Sequence, residues 1–246
     1  NTNIDVTSLQ AGDIYVRVAD SEGAHGENGG EIVLSGGLTR GNGANGGGVT
    51  VQAGASKSPG GDGGTLTFVA GSADANNGSG TGGNVLLSGG PSFGDAGGSV
   101  VVRSGPSNSS SGSLILETSP GGVSGDVSVH SGHASSGQAG SLNLSVGTSH
   151  TAQGANITLR SGAAATPGYS GGSVDIIAGT ASAGPSGGSV NILGGYSGGN
   201  GTGGSVTVQS GSGTSSGDVT VSTPDGGEAG RGGNIQLRSG SSHVGD

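Results

Sequence analysis

The chain has 246 residues, of which 62 are Gly and none is Cys, and its formal charge is −9. An acidic chain lacks the basic face that phosphate backbones require, which argues against a nucleic-acid partner. The lack of Cys removes disulfides and thiolate metal sites, and no apolar run approaches the ~18 residues of a membrane span.

In chain order, Asn3-Ile4-Asp5-Val6-Thr7 reads as a degenerate first strand. Asp5, Asp13, Asp20, Glu22, Glu27 and Glu31 cluster near the start and read as a solvated acidic end. From Ile14 onward one phrase recurs: an apolar residue, any residue, a second apolar residue. Its first positions are Ile14, Ile32, Val49, Leu66, Val85, Val100, Leu114, Val127, Leu142, Ile157, Val174, Val190, Val206, Val219 and Ile235. Gly stands two residues before the first position in every copy except the one at Ala155. The mean repeat is about 16 residues, and a tandem period of this size marks a stacked, quasi-one-dimensional architecture. Gly and Ser at this level with no period would point to disorder.

Val206-Thr207-Val208-Gln209-Ser210-Gly211 represents the copies. Alternation with period two is strand patterning, with Val206, Val208 and Ser210 on one face and Thr207 and Gln209 on the other. The fifth position is usually small (Ala53, Ala70, Ser104, Ser161, Ala178), and Gly usually follows, as at Gly54, Gly105 and Gly211. That Gly suits a tight corner. No stretch has helical spacing.

The simplest packing is coil upon coil, with equivalent strands pairing in parallel ~4.8 Å apart. The expectation is therefore an all-β fold, a flattened parallel β-solenoid of about fifteen coils forming a single domain over residues 1–246. An antiparallel sheet or sandwich is the alternative. In the solenoid the in-facing ladder includes Val100, Val102, Val174, Ile176, Val190, Ile192, Val206, Val208, Ile235 and Leu237. So few side chains cannot offset the ordering of so much Gly, so backbone pairing and neighbouring copies must contribute. Neither end carries a polar capping unit, which on a solenoid predicts end-to-end or lateral association.

Outward positions are mostly polar, but Val33, Val69, Leu86, Val101, Ile115, Ile177 and Leu193 are apolar. On stacked coils they form a stripe, a candidate interface. Chemistry-bearing motifs are weak. His130, His133 and His150 lie in Gly/Ser surroundings with no carboxylate at ligand spacing. Gly60-Gly61-Asp62-Gly63-Gly64 resembles a calcium-binding nonapeptide, but Asp does not recur at the needed offset. The outward threonines Thr50, Thr67, Thr158, Thr207 and Thr220 fall mostly in non-adjacent copies, which does not make an ice-binding lattice. No catalytic residue, cofactor or metal site is expected. Asn77, Asn108 and Asn200 are candidate N-glycosylation sites in loops.

Gly187-Gly188-Ser189-Val190-Asn191-Ile192 and the run 203–211 resemble the Gly/Ser-rich tandem repeats of secreted stramenopile proteins, including the mastigoneme family of flagellar hairs. Members of that family typically also carry Cys-rich modules, and none is present here. The resemblance implies an extracellular or cell-surface, glycosylated, filament-forming protein. The expected function is a structural subunit that is not an enzyme and that associates with its own copies or other filament proteins. An adhesin stalk or glycan-binding surface module is the alternative.

Overall fold

In the computed structural model, residues 14–18, 28–73, 80–184, 186–228 and 230–241 are described. Spatial proximity divides the chain into two units, Asn1–Val127 and Ser128–Asp246. Both units repeat one local design. A stretch of eight residues opens and closes with Gly, at 47–54, 64–71, 83–90 and 98–105 in the first unit and at 172–179, 188–195 and 204–211 in the second. Each such stretch carries one apolar phrase. The intervening loops hold all the variation in repeat length.

In nine of the loops the two ends meet at a glycine neck. In the first unit the N–H of Gly47 donates to the carbonyl of Gly37 at 2.8 Å, Gly64 to Gly54 at 2.8 Å, and Gly83 to Gly71 at 2.8 Å. Gly98 donates to Gly90 at 2.9 Å and Gly112 to Gly105 at 3.1 Å. In the second unit Gly172 donates to Gly162 and Gly188 to Gly179, each at 2.9 Å; Gly204 donates to Gly195 at 2.8 Å and Gly217 to Gly211 at 3.1 Å. The register never varies. The donor always stands two residues before an apolar phrase, and the acceptor five residues after the first position of the preceding phrase. Gly217 stands six positions after Gly211 and Gly83 twelve after Gly71, the size range of compact Ω-loops with adjoining ends.

The small fifth position has a steric reason. A Cβ placed on the returning glycine would sit 3.6 Å from the Cβ of Ala53 at Gly64, and 3.5 Å from those of Ala70 at Gly83, Ser161 at Gly172 and Ala178 at Gly188. Ala53, Ala70, Ser104, Ser161, Ala178 and Ser210 are only partly exposed, unlike most of the chain. Where the fifth position is itself Gly, the neck closes further. A Cβ on Gly36, Gly89 or Gly194 would overlap the carbonyl oxygen of Gly47, Gly98 or Gly204 respectively. Near the end of the second unit the fifth position is Thr223, whose hydroxyl donates to the Gly233 carbonyl at 3.1 Å.

Inside the loops the short polar residues do the turning. The position two residues past the neck acceptor is Thr39, Ser56, Ser92 or Ser107, and each hydroxyl accepts a backbone N–H two residues on. This is the local side chain–backbone bonding that competes with regular structure. Ser58-Pro59-Gly60-Gly61 is a type II turn: Gly61 N–H donates to the Ser58 carbonyl at 3.1 Å, and Gly60 has φ +73°. Pro presets the second position, and Gly supplies the positive φ of the third. Gly60→Ala is expected to cost about 1 kcal/mol in that turn, and Gly60→Asn less, read as faster amide exchange at Gly61.

No helix and no β-strand occurs among the described residues. This overturns both the β-solenoid and the antiparallel sheet expected from the alternation. A parallel solenoid joins equivalent positions of successive copies, Val49 beside Leu66. The structure instead joins the end of one copy to the start of the next, Gly54 to Gly64. The glycine donors and acceptors a ladder would use are spent closing loops. Beyond each neck, no backbone bond carries the pairing further among the described residues. The expected core is also absent, since no described residue is buried.

Candidate functional site

Among the described residues the repeated unit is the one feature with the regularity of a site. It consists of an eight-residue stretch held between two glycines, with apolar side chains displayed along it. The first apolar position is 47–60% exposed in all fifteen copies, and the second 53–93%. The first is the less exposed in every copy except that of Val49 and Val51. All the other stretches therefore have a slightly sheltered first apolar position and a more open second one.

The residues expected to form the in-facing ladder need correcting individually. Val100, Val102, Val174, Ile176, Val190, Ile192, Val206, Val208, Ile235 and Leu237 are all exposed, Leu237 at 93%. Alternation placed them on one face, but nothing lies against that face. The candidate interface residues Val33, Val69, Leu86, Val101, Ile115, Ile177 and Leu193 are exposed at 69–85%. The stripe expected from stacked coils does not follow, because there are no coils to align them.

Asn108 and Asn200 are exposed loop residues, between Gly105 and Gly112 and between Gly195 and Gly204. Asn77 lies outside the described residues, as does the acidic start apart from Glu31. His130, His133 and His150 are exposed. Among the described residues no group of three or more His, Asp or Glu is placed to hold a metal, and no pocket is formed. No helix there is long and apolar enough to cross a membrane.

The sequence reading took the flanking glycines for corners and missed that they pair. The signal was present, because Gly recurs both two before and five after the first apolar position across loops of unequal length. A glycine fixed on both rims of a variable insertion points to rims that meet. No family model, no curated protein and no solved structure matches the chain.

Proposed function

We propose that the chain is a structural subunit of an extracellular filament or hair, whose copies associate through the apolar side chains of the repeated stretches. The observation that supports this reading is that fifteen apolar pairs recur in fixed register and none of them is buried. Exposed aliphatic side chains repeated at regular intervals are apolar area that association with another copy can cover. A second copy offers the same eight-residue element, at intervals set by loops of 5 to 11 residues between the neck glycines. The resemblance to secreted tandem-repeat proteins of flagellar hairs supports the extracellular setting. The exposed loop residues Asn108 and Asn200 are sites where covalent glycan would keep such an assembly hydrated.

Sedimentation velocity and negative-stain microscopy of the purified chain at micromolar concentration test the reading. Polymers with an axial repeat are expected. A chain that stays monomeric across the accessible range and binds members of a glycan array would replace the filament with an adhesin.

A further inference from the structure

Five Asn-Gly dipeptides occur, at Asn28, Asn42, Asn45, Asn77 and Asn200. Asn-Gly is the pair in which a backbone nitrogen most readily attacks the preceding side-chain amide, because Gly has no Cβ to block the approach and rotates freely. We infer that Asn200 is a site of spontaneous modification, cyclising with Gly201 and opening to aspartate and isoaspartate faster than Asn42, Asn45 or Asn108.

The placement of Asn200 carries this. It is exposed in the loop between Gly195 and Gly204, preceded by Gly198 and Gly199 and followed by Gly201. Between the two neck glycines that loop makes no backbone–backbone hydrogen bond, so the Gly201 N–H is free to act. Asn42 is held differently. Ala44 N–H donates to the Gly41 carbonyl, and Gly43 has φ +71° while no non-Gly residue among those described has positive φ. Asn42 is therefore the second residue of a type II turn, with ψ of roughly +120°. Closing the five-membered ring needs ψ of the opposite sign, so the turn must open first. Asn45 directly follows the bonded Ala44 and precedes the neck donor Gly47 by two residues, so backbone bonds restrain the chain on both sides of it. Asn108 is followed by Ser109, whose N–H is already donated to Ser107 Oγ at 3.1 Å.

The step balances with water as the only co-reactant. The Gly201 nitrogen forms a bond to Asn200 Cγ, the Cγ–Nδ2 bond breaks, and ammonia leaves with the amide proton. Water then adds to either imide carbonyl, giving a carboxylate on the side chain or on the main chain. Each event adds one negative charge to a chain already at −9. It also destroys the Asn200-Gly201-Thr202 acceptor for N-linked glycan, so glycosylation and cyclisation compete for one amide.

The full chain, made in a host that does not glycosylate, is kept in neutral buffer and sampled over weeks. Peptide mapping with electron-transfer fragmentation separates Asn, Asp and isoAsp at each site. Asn200 is expected to convert several-fold ahead of Asn42, Asn45 and Asn108, with isoaspartate the major product. Gly201→Ala should remove most of that conversion. It is tolerated locally, because the added Cβ meets only the tip of Ser197 Oγ, at 2.9 Å. Conversion of Asn42 or Asn108 at the rate of Asn200, or an unchanged rate in the Gly201→Ala chain, overturns the inference.

Discussion

Replacing Leu86, Val101 and Ile115 together by Thr is expected to raise the concentration needed for assembly by about two orders of magnitude. These side chains are more than two-thirds exposed in the single chain, so their apolar area is still available to be covered by a second copy. Covering one contributes roughly 1.5–3 kcal/mol when complete. Partial cover of three gives about 3 kcal/mol, or ~100-fold in concentration at 1.4 kcal/mol per decade. The control is Val123→Thr. Val123 is 94% exposed but lies in a loop outside the repeated register, so its loss should leave assembly unchanged. Light scattering across a dilution series reads both variants. Equal midpoints for the triple variant and the parent would refute association through the repeated stretches.

The second large effect is expected at the necks. Gly89→Val places a branched side chain where even a Cβ overlaps the Gly98 carbonyl oxygen. The obstacle is backbone, so the neck must part, and the Gly98–Gly90 bond is lost with it. The net worth of such a bond is about 1 kcal/mol, so hydrogen exchange at Gly98 should speed several-fold. Gly194→Val should do the same at Gly204. Ala178→Ser adds only a hydroxyl to a neck that already accommodates a Cβ, and exchange at Gly188 should stay as it was. If both kinds of substitution leave exchange alike, the fifth position does not set the neck.

Much of the organisation was legible in residue spacing. The fixed phrase around Val206 and Val208, the variable insertions, and the small fifth position at Ala53 and Ala70 all have structural counterparts. Strand formation was not. Alternation reports which side chains share a face, but that face becomes a sheet surface only if backbone pairing continues and something covers it. Here the residue after Ala53 is Gly54, which bonds Gly64 across its own loop instead of an equivalent glycine one copy away. The opposite wall that Val100 and Val174 needed would have been built from Gly, Ser and Thr, which bring little apolar area. The candidate interface was legible as exposed aliphatic positions. Its continuity depended on stacked coils, and these are absent.

The loop-closing bond also makes the chain an unusually permissive carrier. Insertions already differ by a factor of two between Gly211–Gly217 and Gly71–Gly83 with the same closing register. Doubling a flexible loop adds only ~0.6 kcal/mol of closure entropy. A guest peptide spliced between Ser107 and Ser111 would thus be presented at a set interval along its host, while Gly105 and Gly112 kept the flanking stretches in place.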